Sequence, residues 1–288
     1  MKKIRFIRVL ILAFAAACHA STGGSRNPEP TSGVNRTPDI STGNRTSWII
    51  TPTTQLHRYH AATATLLELA DSAGITTDSL RSTVDFTLSI ARTPDSLSYA
   101  TTIESISVKN GTRTGEGPMS TTLPFSFTGH IQENRLTITS PSKQSPGITG
   151  CSNEVLSVAP VIQRAVVQVP LALQQNQTWA DSVSAEICSG SIPVTGTVSC
   201  RYRVLGETSS GVLIERQDKT ISAGEGTQGQ HRVKLRSNGT GTARLLVDSR
   251  TGALIESTGT HTATVVVTAS GKDRIFRQTS HEQISATN

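Results

Sequence analysis

The sequence predicts a mainly β fold, an antiparallel curved sheet or open half-barrel meander with one helix near residues 152–166. Composition is the first observation, because serine and threonine make up 75 of the 288 residues and threonine alone contributes 41. Threonine is β-branched and suits a pleated, half-solvated surface. The other two observations are the alternation of apolar with polar residues and the short spacing of the turn residues between alternating segments.

The first half of the body alternates with the period of two that a half-buried strand requires. The clearest segment is Leu80 to Ala91, in which Val84, Phe86, Leu88 and Ile90 share one face. The other strands predicted here are Gln55–Ala70, Tyr99–Val108 with one slip of the period at Ser105, Phe125–Ile131 and Arg135–Thr139, the last two forming a hairpin through Glu133-Asn134.

A helical period replaces this alternation after a loop of proline, glycine and serine at residues 141–150. The apolar residues at helical spacing are Val155, Val158, Ala159, Ile162 and Val166. Ser152 or Asn153 can serve as the N-cap. Pro160 lies inside the pattern, so we expect either a broken helix or a second helix start with proline in its first turn.

The β pattern resumes after Pro170. Strands are predicted near residues 178–188, 194–206, 211–222, His231–Arg236, Thr242–Val247, Leu254–Ala269 and Arg274–Ile284. Asn238-Gly239 and Ser270-Gly271-Lys272 are interpreted as turns, and Gly224–Gly229 as a loose connection. Such spacing indicates an antiparallel meander, which would bury one face by wrapping over the helix.

The N-terminus has the form of a secretory signal. Four basic residues within the first eight precede the apolar run Val9–Phe14, and small residues lead to Cys18. A cysteine at this place resembles the lipobox of bacterial lipoproteins. The resemblance implies cleavage before Cys18 and acylation of that residue, which would anchor the chain to a membrane. A soluble form cut after Ala20 is the alternative.

The predicted organisation follows from that signal. Residues 1–17 are the signal peptide, residues 18–47 are the lipidated cysteine and a flexible tether rich in glycine, proline and serine, and residues 48–288 are one β-rich domain. The loop at residues 141–150 leaves open a division into two small sheets. The expected location is the bacterial cell envelope, lipid-anchored at the outer membrane, with secretion to the periplasm as the alternative.

Two further segments resemble a family. They are Trp179-Ala180-Asp181-Ser182, which follows Pro170 and a bend rich in glutamine and asparagine, and Leu246–Leu254, which forms a strand, a tight turn and a return strand. Together they resemble uncharacterised bacterial lipoproteins with an antiparallel β body, distantly similar to lipoprotein-carrier half-barrels. The resemblance implies a fold more than an activity.

Charge argues against a nucleic-acid partner. The whole chain has a net charge of +6, but residues 1–17 hold four of the 27 basic residues and no acidic residue, which leaves 23 against 21 and a net charge of +2. The remainder has no run of lysine and arginine, and the chain has only eleven aromatic residues to stack on bases. The features expected of a nucleic-acid-binding surface are therefore missing.

The other cysteines predict one disulfide. Export would place Cys151, Cys188 and Cys200 in an oxidising compartment. If Ser189-Gly190-Ser191 is a hairpin turn, Cys188 lies at its mouth and cannot reach Cys200, so we expect a Cys151–Cys188 bond. A turn centred on Pro193-Val194 would instead favour a Cys188–Cys200 bond. The spacing of these cysteines matches no zinc pattern, and no metal site is expected.

No catalytic or cofactor motif is found. His57 and His60 are three residues apart, so on a strand they point to opposite faces and cannot share a metal ion. They are interpreted as surface histidines, and the same interpretation applies to His130, His231, His261 and His281. The chain has no Gly-x-Ser-x-Gly motif and no phosphate-binding glycine loop, so we expect no catalytic residue and no cofactor.

The sequence therefore predicts a non-catalytic, membrane-tethered envelope lipoprotein that binds an unknown ligand or protein partner. A carrier of an apolar ligand would expose a concave apolar face, for which Val84, Phe86, Leu88 and Ile90 are the candidate lining residues. The alternative for these residues is that they pack as core under the helix. The alternative for the function is a secreted or lipidated hydrolase with an unrecognised active site.

Overall fold

The computed structural model describes residues 46–71, 74–92, 96–110, 123–139, 154–189, 192–228 and 231–287. These ranges contain one helix, α1 (Glu154–Ala165), and thirteen strands. The strands are β1 (Ser47–Ile49), β2 (Leu56–Asp71), β3 (Gly74–Arg92), β4 (Ser96–Asn110), β5 (Phe125–Gln132), β6 (Arg135–Thr139), β7 (Ala172–Gln174), β8 (Thr178–Ser189), β9 (Ile192–Thr208), β10 (Gly211–Gln228), β11 (His231–Val247), β12 (Leu254–Ala269) and β13 (Lys272–Thr287).

Eleven of these strands form a closed barrel. Their order is β10-β11-β12-β13-β2-β3-β4-β5-β6-β8-β9, and β9 pairs with β10 to complete the circuit. The mainly β fold with one helix is confirmed, but the prediction of an open half-barrel is wrong. The barrel closes because two meanders, β2–β6 and β8–β13, join at both of their edges.

The two joins differ in strength. β13 pairs with β2 in antiparallel register from Phe276 and Leu69 to Thr287 and Arg58. β6 and β8 run parallel and are in register only at Arg135 and Ser184. The second join is therefore the weaker seam of the barrel wall.

Several strands run longer than the sequence pattern indicates. Asn238-Gly239 is not a turn, because β11 continues through it and Gly239 pairs with Thr220 and Ala263. The residues from Gly224 to Gln228 extend β10 instead of forming a loose connection. The slip of the period at Ser105 coincides with a shift of register between β3 and β4, which is a β-bulge.

The barrel encloses α1. Its side chains from Val158 to Ile162 are all buried, and Arg164 contacts Glu282 on the inner face of β13. The helix is continuous through Pro160, so the predicted break is wrong. Proline removes one backbone hydrogen bond, and the apolar packing around it stabilises the helix nevertheless. The proposed N-cap residues Ser152 and Asn153 lie outside the described residues.

One end of the barrel is closed by apolar packing. The short sheet of β1 and β7 places Trp48 opposite Leu173, and both side chains are fully buried. The backbone hydrogen bond from Ile50 to Leu171 extends this sheet, and the bond from Thr51 to Arg250 attaches it to the turn between β11 and β12. The core beneath it contains Tyr59, Phe86, Leu88, Ile214 and Leu245.

Candidate functional site

A layer of charged and polar side chains crosses the middle of the barrel interior, which we call the lumen. Arg216 and Asp218 of β10 continue the inward-facing positions of Val212 and Ile214, and Glu282 occupies the equivalent face of β13. Arg164 of α1 reaches the same layer. Arg164, Arg216 and Asp218 are at most 8% exposed, so each charge has lost most of its water.

These charges are paired inside the barrel. Arg164 forms an ion pair with Glu282, and Nε of Arg216 lies 3.1 Å from Oδ1 of Asp218. Burial and, to a smaller extent, the nearby Arg216 lower the pKa of Arg164 to about 9, while Asp218 opposes the shift. Burial raises the pKa of Asp218 to about 6 against the effect of both arginines. The layer therefore ties the helix to the barrel wall at a substantial desolvation cost.

A cavity of about 50 Å³ adjoins this layer between α1 and strands β8, β9 and β10; we call it the lumen cavity. Asp181, Cys200 and Asp218 are consecutive cross-strand neighbours and all line it. Burial raises the pKa of Asp181 and of the Cys200 thiol. A protonated thiol is a poor nucleophile, so the cavity favours binding over thiol chemistry.

Tyr202 and Trp179 form the aromatic wall beside this cavity. Their rings stack with centroids 4.8 Å apart, and the Tyr202 hydroxyl donates to Oδ2 of Asp181 at 3.2 Å. The Trp179 indole donates to the Gln168 carbonyl at 3.2 Å, on the segment that follows α1. Trp179 and Asp181 are half-buried.

His261 was predicted to be a surface histidine, and that prediction is wrong. Its side chain is only 2% exposed, because it belongs to the inward-facing positions of β12. The ring lies over Gly239 of β11, where a Cβ would come within 2.5 Å of it. Burial lowers the pKa of His261 to about 3, and Arg164 contributes to the shift. The imidazole is therefore neutral at physiological pH.

A serine, an aspartate and a histidine meet on the outer face of β2, β3 and β4. His60 Nδ1 lies 2.6 Å from Oδ1 of Asp85, and the Ser105 hydroxyl donates to Oδ2 of the same carboxylate. The Ser105 and His60 interactions lower the pKa of Asp85. Because the serine contacts the carboxylate, the histidine is not placed to take its proton as in a catalytic triad.

A second concave region, the outer groove, lies on the outside of strands β10, β11, β12, β13, β2 and β3. Its volume is about 1080 Å³. Glu215, Arg244 and Thr258 line it as one cross-strand row, and Thr260 and His281 belong to the next. The lining includes no phenylalanine, tyrosine or tryptophan. Its alternating hydroxyl, amide and charged groups suit a polar chain.

Two of the four cysteines, Cys188 and Cys200, belong to the described residues. Cys18 and Cys151 lie outside the described residues, so lipidation and the Cys151–Cys188 bond stay predictions. Cys188 is opposite Pro193, and Cys200 lies seven residues further along β9, about 23 Å away at the usual strand rise. A Cys188–Cys200 bond needs Cα atoms within about 7 Å, so this register excludes it. Cys200 is a free thiol.

The described residues contain no group of three histidine, cysteine, aspartate or glutamate side chains arranged to hold a metal ion. Across the same ranges, no helix has the length and apolar character needed to cross a membrane.

Comparison with known proteins does not assign the chain to a family. No family model matches it, and no curated protein matches it. Among solved structures, a chain from work on the asymmetric conductivity of engineered proteins is similar at 6% sequence identity, over 81% of this chain and 100% of that chain. The TM-score of that match is 0.21, which is too low for the match to indicate a fold or a function.

Proposed function

We propose that this chain is a membrane-tethered lipoprotein of the bacterial cell envelope that binds a protein partner in its outer groove and has no catalytic activity of its own. The tether and anchor rest on the lipobox-like signal ending at Cys18. The outer membrane is the proposed location. The observation that carries the binding function is the contrast between a filled barrel interior and a large polar groove outside it.

The interior offers little room for a transported apolar ligand. Val84, Phe86 and Leu88 are at most 4% exposed and pack in the core, as the alternative interpretation of that strand face expects. Ile90 lines a cavity of about 50 Å³ at the closed end, similar in size to the lumen cavity. A lipid or drug-sized ligand needs several hundred Å³, so these cavities do not support a carrier.

The charges of the outer groove suggest the chemistry of the partner. Arg81 and Arg244 contribute two positive charges, and Glu215 contributes one negative charge. Glu282 also lines the groove, but its buried carboxylate is paired with Arg164. The strand faces around them present threonine hydroxyls and glutamine amides, which can donate and accept hydrogen bonds. The partner that fits this lining is an extended polypeptide segment with acidic side chains, for which electrostatic complementarity gives specificity.

The anchor is tested by fatty-acid labelling of the full chain in cells. Wild-type protein should incorporate label and remain with membranes, because two or three acyl chains give stable anchoring. The Cys18→Ser variant should lose both. Equal labelling of the variant would remove the lipoprotein part of the proposal.

The groove is tested by site-specific photo-cross-linking in the producing organism. A photoreactive residue at Thr260 lies in the groove, whereas one at Thr137 lies exposed on β6, away from it. We expect one defined protein adduct from Thr260 and none from Thr137. Equal adducts from both positions, or no protein adduct from Thr260, would contradict binding in the groove.

A hydrolase is the second candidate, and the lumen cavity is the observation that favours it. Asp181 and Asp218 both line this cavity, and burial raises the pKa of each. Paired carboxylates with shifted pKa values can act as acid and base. Turnover on an ester or glycoside panel that is lost in Asp218→Asn would favour this candidate over a binding protein.

A further inference from the structure

The lumen cavity has two chemically different walls. Ile131, Val183 and Val198 form an apolar wall, and the adjoining polar wall holds carboxylates, a thiol and guanidinium groups. At roughly 10–15 Å³ for each water-sized position, a cavity of about 50 Å³ has room for about three to five non-hydrogen atoms. Its occupant is therefore very small, with one polar and one apolar end.

The polar wall leaves the Asp218 carboxylate short of hydrogen bonds, although guanidinium groups lie nearby. The Asp218 side chain is fully buried, and neither of its carboxylate oxygens accepts a hydrogen bond of good geometry within the described part of the chain. Arg216 is its ion-pair partner at 3.1 Å, and the Cys200 thiol supplies only a weak donor. A buried carboxylate in this state needs further donors, which water or a ligand must supply.

The charge balance of this wall is also incomplete. Arg164 is paired with Glu282, and Arg216 with Asp218. Asp181 is then a third carboxylate beside two arginines. It accepts a hydrogen bond from the neutral hydroxyl of Tyr202, and the charge of Arg216 also acts on it. One added positive charge would balance the three carboxylates when all are ionised.

We propose that the lumen cavity binds a small primary ammonium group carrying a short alkyl chain. The ammonium donates to the carboxylates of Asp181 and Asp218, and the alkyl chain contacts Val183 and Val198. This site is separate from the outer groove and does not depend on the partner proposed for that groove.

The geometry of the lumen cavity favours a primary ammonium over a metal ion and over an anion. A metal ion would need three suitable ligands in position, and the described residues offer no such group. An anion would have to compete with the carboxylates that already face Arg164 and Arg216, and it would increase the excess negative charge. A primary ammonium supplies three donors and one positive charge together.

The test is calorimetric titration of the purified full chain in detergent with n-propylammonium chloride, n-propanol and sodium propionate at pH 8. We expect saturable binding of the ammonium alone, with an increase in the thermal midpoint. Asp181→Asn should weaken this binding at least tenfold, whereas Asp78→Asn, at an exposed position of β3, should not change it.

A cavity-filling variant keeps the test decisive if Asp181→Asn affects folding. Val198→Phe should remove propylammonium binding while the circular dichroism of the barrel is kept. No saturable binding below 100 mM, equal binding by Asp181→Asn, or equal binding of propanol or propionate would each overturn the proposal. Cross-linking at Thr260 tests partner binding in the outer groove, and the titration tests ammonium binding in the lumen cavity. A negative result in one experiment therefore leaves the other proposal standing.

Discussion

The two faces of strand β10 carry the same kinds of residue under different physical conditions. Glu215 and Gln217 face the outer groove, and Arg216 and Asp218 alternate with them toward the lumen. Exposed charges keep their water, so their contribution to stability is small and they remain able to meet a partner. Buried charges must be paired, and losing a partner is costly. The outward-facing residues of β10 are thus available for binding, whereas its inward-facing residues contribute to stability.

The largest expected effect comes from breaking the pair that holds the helix. Glu282→Gln should reduce the free energy of unfolding by about 3–5 kcal/mol, because Arg164 then remains charged and buried without its counter-ion. Urea unfolding monitored by circular dichroism measures this change. The matched control is Glu225→Gln on the outside, where Arg232 and Glu225 are exposed, and it should leave the unfolding midpoint unchanged.

A double substitution distinguishes an unpaired charge from a general loss of packing. Arg164→Met combined with Glu282→Leu replaces the pair with apolar side chains of similar size. Its stability should return close to that of the wild type, because apolar replacements of buried pairs are often neutral or stabilising. A double variant as unstable as Glu282→Gln would refute the desolvation argument.

A smaller effect is expected where His261 lies over Gly239. Gly239→Ala should destabilise the barrel by about 1–3 kcal/mol, because the added Cβ would lie 2.5–2.6 Å from ring atoms of His261. His261→Ala removes the ring contacts but leaves the carbonyl oxygen of Thr262 at 2.9 Å from the added Cβ. Gly239→Ala should therefore cost less stability in the His261→Ala background than in the wild type. A double-mutant cycle without coupling would show that the ring does not occupy this position.

The pH dependence of stability should reveal Asp218. Its pKa in the folded protein is raised to about 6, so the folded state binds a proton more readily than the unfolded state. Asp218 therefore contributes stability as the pH falls through 6, and this contribution is complete below its unfolded pKa of 3.8.

The measurement compares the free energy of unfolding of the wild type with that of Asp218→Asn. The lowered pKa of His261 makes the fold less stable as the pH falls, and this contribution cancels because both proteins contain His261. Between pH 7 and pH 4, the free energy of unfolding of the wild type should rise by about 2 kcal/mol relative to that of the variant. A difference that stays constant or shrinks over this range would contradict the buried, paired position of Asp218.

The sequence predicts the strands well where alternation is regular. Leu80–Ala91, Leu254–Ala269 and the hairpin at Glu133-Asn134 all correspond to observed elements. Closure was not predictable, because it depends on the pairing of β13 with β2, whose residues are about 200 positions apart in the chain. Local periodicity carries no information about such contacts.

The inward position of several residues of the lumen layer could have been predicted from the alternation of the strands. Continuing the inward-facing positions of Val212 and Ile214 leads directly to Arg216 and Asp218, and the same parity on β12 places His261 beside Ala263 and Val265. The pairing of Arg164 with Glu282 had no such signal, because α1 and β13 meet only when the barrel has closed around the helix.

The variant with the smallest expected effect on stability tests partner binding in the outer groove most directly, because it changes the outer face of the sheet and leaves the inner face intact. Arg244→Glu reverses a charge of the outer groove, and its unfolding free energy should stay within about 0.5 kcal/mol of the wild type. The decisive measurement is the yield of the Thr260 photo-adduct in this folded variant. The account predicts a loss of at least tenfold, whereas an undiminished yield would contradict partner binding in the groove.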